Sequence, residues 1–134
     1  MSGDGPIRGG CACGACTYEV EDDFAYGLVC HCSQCRRTTG AASKPFGGIP
    51  VEKLRLTAGD AAIARRGDED HDAFCSRCGA LLWSVVRGGA WAHVTYGTMD
   101  RAPAKGLGAH IFVGSKAPWD VIGDDLPQFE EYPQ

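Results

Sequence analysis

"FCSRCGALLW", residues 74–83, is the stretch on which the reading of the fold turns. It sets Cys75 and Cys78 at C-x-x-C spacing, follows them with Gly79, and runs on through "SVV" as an apolar segment. Two thiols at this spacing converge on one ion when the chain between them turns tightly, and the amides of the turn point at the sulfurs. A glycine directly after the second cysteine suits the backbone conformation of such a turn. In a thioredoxin-like redox pair the same spacing sits at a strand-to-helix junction of a βαβ unit. Here the residues that follow read as a strand, so the motif points to a metal site in a β-rich domain.

Outward from this stretch the apolar runs are short and rich in β-branched and aromatic residues: "CTYEV" (16–20), "GLVCHC" (27–32), "LRLT" (54–57), "WAHVTYG" (91–97) and "AHIFVG" (109–114). Glycine, proline or charged turns separate them, and no helical period is sustained over ten residues. The fold class expected is mostly β. One short helical turn is expected near 33–40, "SQCRRTTG", with Ser33 as its cap and Gly40 as its end. The charged run "RRGDEDHD" (65–72) mixes signs and reads as a solvated turn. Near the C-terminus, "DDLPQFEEYP" (124–133) has too few apolar residues for a core, although Leu126 and Phe129 can fasten it to the domain. With 134 residues the chain is read as a single domain, 1–134, large enough to bury a core without a metal or disulfide staple.

A formal net charge of −4 leaves no electrostatic footprint for a phosphate backbone, so a nucleic-acid partner is not expected. No stretch approaches the ~18 apolar residues of a membrane span. "MSGDGPIRGG" (1–10) lacks the basic-then-apolar pattern of a signal peptide, so a cytoplasmic chain is expected, its eight cysteines reduced unless a metal holds them.

Seven of those cysteines fall into three groups: Cys11 with Cys13, Cys30 with Cys32 and Cys35, and Cys75 with Cys78. In an extended segment, residues two apart share a face, so each C-x-C presents two sulfurs to one ion while Ala12 and His31 face away. Cys16 is left over and reads as a small buried hydrophobe. Four ligands make a closed structural zinc site, whereas three leave a position open. By spacing alone, Cys11 and Cys13 can complete a site with Cys75 and Cys78 or with Cys32 and Cys35.

Taken in order, "GGCACGACTYEV" (9–20), "CHCSQCRRTTGA" (30–41), "FCSRCGALLW", "YGTMD" (96–100) and "HIFVGSKAPWDVIGDDLPQFE" (110–130) resemble the glutathione-dependent formaldehyde-activating enzyme (GFA) family over nearly the whole chain. The resemblance implies a β-tent architecture of antiparallel sheets around a structural zinc held by Cys11, Cys13, Cys75 and Cys78. It implies a second, catalytic zinc on Cys30, Cys32 and Cys35, hence two ions per chain. It also implies a carbon-sulfur lyase-type activity joining formaldehyde, or a related small aldehyde, to glutathione or a similar thiol as S-(hydroxymethyl)glutathione. The alternative is a non-catalytic zinc-binding module or thiol carrier that binds glutathione or a protein partner. Arg36 and Arg37 are candidates for a substrate carboxylate. Trp83, Trp91 and Trp119 are expected in the core, His93 and His110 as satisfied structural histidines, and His71 at the surface. Pocket differences between family members are expected within 41–70.

Overall fold

The computed structural model describes residues 5–133, and residues 1–4 of the N-terminal stretch read above for a signal pattern lie outside them. Strands β1 (Ile7–Gly10), β2 (Thr17–Val20) and β5 (Leu54–Ala58) form a three-stranded antiparallel sheet in the order β1-β2-β5. Strands β3 (Tyr26–Cys30), β4 (Lys44–Pro50), β6 (Ile63–Gly67), β7 (His71–Cys75), β8 (Leu81–Val86), β9 (Trp91–Thr95) and β10 (Ala109–Ile111) form a second sheet, ordered β10-β3-β4-β9-β8-β7-β6. Every pairing in it is antiparallel except β10 on β3. The fold is therefore mostly β, as the short alternating runs predict.

Alternation decides which residues meet. Tyr18 and Val20 of β2 and Ile7 of β1 point inward and pack on Ile49, Ala73, Trp83, Val85, Ala92 and Val94 of the large sheet. Tyr18 meets Trp83 edge-on at 5.7 Å between ring centres, the geometry aromatic quadrupoles favour. The opposite face of the large sheet carries a smaller cluster of Cys30, Cys35, Phe46 and Ile111, with Phe129 packed on it. Phe129 thus fastens the C-terminal segment, helped by backbone bonds between Phe129 and His110 and between His110 and Pro127.

Helix α1 (Ser33–Thr39) links β3 to β4 and ends at Gly40, whose φ of 66° is left-handed and whose amide bonds back to the Arg36 carbonyl. The cap differs from expectation. Cys32, not Ser33, is the N-cap, its sulfur accepting the Cys35 amide at 3.3 Å. A second difference concerns Cys11 and Cys13, which stand in a turn after β1, closed by the Gly14 amide on the Cys11 carbonyl, rather than in a strand. The charged run at 65–72 spans the end of β6, a turn and the start of β7, and its Asp72 is half-buried on Ser84 and Arg66. Of the tryptophans, Trp83 is core and Trp91 half-buried, but Trp119 is 70% exposed because its loop lies outside both clusters.

Candidate metal centre

β1 ends one residue before Cys11, β7 ends at Cys75, and Cys78 follows in the C-x-x-C turn. The turn is closed by the Gly79 amide on the Cys75 carbonyl at 2.7 Å, with Gly79 at a φ of 80°. The sulfurs of Cys11, Cys13, Cys75 and Cys78 all lie within 4.8 Å of one another and can hold a metal ion. Cys13 is 3.7 Å from both Cys11 and Cys75. Cys75 is buried, Cys11 half-buried, and Cys13 and Cys78 exposed. Burial opposes ionisation of Cys11, but the Cys16 amide on its sulfur and the neighbouring thiols outweigh it and bring the thiol down to about 6. Cys16 is fully buried beside this cluster, and burial pushes its thiol up to about 12.

A second group is Cys30, Cys32 and Cys35, again with all sulfurs within 4.8 Å. Cys30 closes β3, Cys32 caps α1, and Cys35 stands in its first turn, so a strand end and a helix start deliver the three sulfurs. Cys30 and Cys35 are buried and Cys32 is half-buried. The hydrogen bond between Cys30 and Cys35 holds the Cys35 thiol up and the Cys30 thiol down, and burial adds to the rise at Cys35. Soft thiolates converging in this way fit zinc or another thiophilic ion, closed in the first group and one ligand short in the second. The structure brings Cys11 and Cys13 to Cys75 and Cys78, not to Cys32 and Cys35.

His31 faces away from the sulfurs and is 1% exposed. Its Nε2 meets His110 Nδ1 at 2.8 Å, and His110 Nε2 meets Asp124 at 3.0 Å. With Asp124 ionised, His110 donates to it through Nε2–H and accepts the His31 Nε2–H at Nδ1. His31 Nδ1 is then unprotonated, and it is buried without a hydrogen-bond partner. The sequence shows neither this chain of imidazoles nor its anchor, because the parallel pairing of β10 on β3 that joins them spans most of the chain.

Arg36 is half-buried, with a buried Nε that has no partner, and Arg37 is exposed. A cavity of about 290 Å³ adjoins the C-terminal end of α1, lined by Thr38, Thr39, Ser43, Lys44 and Thr98 among others.

His93, on the same sheet face as Phe46, stacks on that ring at 4.2 Å and meets the Tyr26 hydroxyl at 2.7 Å. Burial, helped by Lys44 and Arg87, lowers its imidazole to about 4. An unfolded chain takes up that proton near pH 6.5, and the folded one does so only near pH 4, so acid favours unfolding across this window. The full shift corresponds to roughly 3 kcal/mol. His93→Gln is expected to flatten the stability profile between these limits, as measured by urea unfolding at a series of pH values beside the parent protein.

Residues 6–115 match the family described as glutathione-dependent formaldehyde-activating enzyme. A crystal structure of a Rhodobacter sphaeroides protein is similar at 26% identity with a TM-score of 0.60, over 72% of this chain and 91% of that one. No curated protein matches the chain. Among the described residues no helix is long and apolar enough to cross a membrane.

Proposed function

The chain belongs to the glutathione-dependent formaldehyde-activating enzyme family, and on that premise we propose that it joins formaldehyde, or a related small aldehyde, to glutathione or a similar thiol. The product is S-(hydroxymethyl)glutathione, and the class is a carbon-sulfur lyase acting in the synthetic direction. The observation that supports this most is the unequal pair of cysteine clusters, four sulfurs in one and three in the other.

Zinc suits both donor sets. Cys11, Cys13, Cys75 and Cys78 would hold a structural ion with every position filled, and Cys30, Cys32 and Cys35 would hold one with a position left for substrate. Zinc at the second site supplies a lowered thiol pKa, so that the substrate sulfur is available as thiolate near neutral pH. The chain's own residues do the rest. The Cys35 amide is spent on the Cys32 sulfur, which steadies that ligand at the helix start. Burial of Cys30 and Cys35 keeps water from one side of the site, while half-buried Cys32 leaves an approach. Arg36 stands in the next position to Cys35, where its guanidinium can pair with a substrate carboxylate. As the carbon-sulfur bond forms, the carbonyl π bond opens, and its oxygen takes the proton that the thiol gave up.

Three cysteine thiolates also weaken the Lewis acidity of an ion, which favours holding a thiol over activating an aldehyde. That chemistry supports the second reading, a thiol carrier. Formaldehyde consumption in the presence and absence of glutathione separates the two: the enzyme accelerates loss of both reactants well above their spontaneous rate, while the carrier binds glutathione and leaves the rate unchanged. We read the protein as a single cytoplasmic domain, since cysteines kept as metal-ligating thiolates rather than disulfides suit a reducing setting.

A further inference from the structure

Lys44 opens β4 and is the cross-strand partner of Cys30. Opposed residues of an antiparallel pair project to the same face, so the lysine stem and the cysteine share the face that carries Leu28, Phe46 and Ile111. Lys44 is only 6% exposed. An ammonium removed from water needs compensating negative charge or full hydrogen bonding, and the contacts Lys44 makes within the chain supply neither in full. Nζ reaches the Ser84 hydroxyl at 3.4 Å and lies 5.4 Å from the centre of the Phe46 ring. Ser84 gives its own proton to Asp72 at 2.6 Å, and Asp72 is also held by Arg66 at 2.8 Å. The carboxylate behind Ser84 is thus already shared with another cation, and Lys44 keeps an excess of positive charge.

The backbone of Lys44 stands opposite Cys30, and the Phe46 ring beneath its ammonium packs in one cluster with Cys30 and Cys35. We propose that Lys44 is the charge-compensating residue of this site, offsetting the negative charge that accumulates when an anionic sulfur joins Cys30, Cys32 and Cys35. The proposal rests on the thiol-binding reading above. Three thiolates around a divalent ion carry a net charge of −1, and a fourth brings it to −2. The four-cysteine cluster reaches the same charge, but Cys13 and Cys78 are exposed and water screens it. At the other cluster Cys30 and Cys35 are buried, so the compensating charge has to come from within the protein. The competing account is that Lys44 only completes the Ser84–Asp72 contact.

The test uses zinc-loaded parent protein, Lys44→Met and Lys44→Arg, titrated calorimetrically with glutathione and with 2-mercaptoethanol, which has no carboxylate; zinc per chain and urea unfolding are measured alongside. Lys44→Gln, which keeps a hydrogen-bonding end, replaces the methionine variant should that one fail to fold. The expected result is a loss of about tenfold or more for both thiols in the neutral variants, as for the truncation of one member of a buried charge pair, with the four-cysteine zinc retained and binding largely restored in Lys44→Arg. Equal binding by parent and neutral variants, with only stability changed, overturns the assignment and leaves the thiol reading standing. Loss confined to glutathione also overturns it, because Lys44 would then be holding a carboxylate. A parent protein that takes up neither thiol overturns the functional reading and this assignment together.

Discussion

Cys75→Ser is expected to yield a protein that does not hold its fold. Cys75 is fully buried at the end of β7, and its sulfur lies 3.7 Å from that of Cys13, a residue 62 positions earlier in the chain. On the proposed reading this contact belongs to a closed zinc site that ties the end of the small sheet to the β7–β8 turn. Binding of a structural zinc is worth about 10–16 kcal/mol in small domains and enters directly as folding free energy. Total stabilities lie at about 5–15 kcal/mol, so losing most of the ion's contribution is decisive. Serine also leaves a hydroxyl where a thiolate had a partner, and a buried polar group without one costs about 1–3 kcal/mol more. Circular dichroism and the zinc content of the variant check this: loss of the cooperative unfolding transition is expected, together with loss of the tightly held ion. A zinc chelator acting on the parent protein should reproduce the effect.

Cys32→Ser is expected to do the reverse, keeping the fold and abolishing function. Cys32 is half-buried and carries the N-cap of α1 through its sulfur. Serine is among the best capping residues, so its oxygen can take over the Cys35 amide and the helix should persist with less than about 1 kcal/mol of change. The three-cysteine site, however, falls to two sulfurs and no longer retains its ion. Thiol-dependent formaldehyde consumption should drop by at least about a hundredfold, since even changes to groups that only orient metal ligands cost about 10–100-fold. The decisive pattern is a retained cooperative unfolding transition, one zinc lost per chain, and activity near background. Equal unfolding of both variants would contradict the division into a structural and an open site.

How much of this was legible beforehand depended on distance along the chain. The C-x-x-C turn with Gly79, the helix ending at Gly40 and the strand at 81–86 are local patterns that appear where the residues indicate, whereas the extended segment read at Cys11 and Cys13 is a turn and the charged run at 65–72 includes the ends of two strands. The grouping of seven cysteines was equally local. Joining Cys11 and Cys13 to Cys75 and Cys78 was not, because it requires the turn after β1 to meet the end of β7, with Cys13 and Cys75 62 residues apart; spacing left it open, and only the family resemblance indicated it. The cap at Cys32 was missed because a sulfur of the three-cysteine cluster also satisfied the helix amide, displacing the stronger capper Ser33. Lys44 carried no signal, since a lone lysine at a strand start is usually solvated. Its burial follows from the register that sets it opposite Cys30, which no local pattern encodes. His31 and His110 were read as facing away from the metal and as structural, and their mutual hydrogen bond shows what they face instead.

The account rests on a closed four-cysteine ion together with a three-cysteine ion that accepts a substrate sulfur, and the most direct test is zinc per chain by elemental analysis combined with glutathione titration calorimetry on the same freshly purified protein. Two zincs per chain, with glutathione heat that disappears in Cys32→Ser along with one of the ions, is the predicted result. One tightly held zinc, with no response to glutathione in the parent protein, would contradict it.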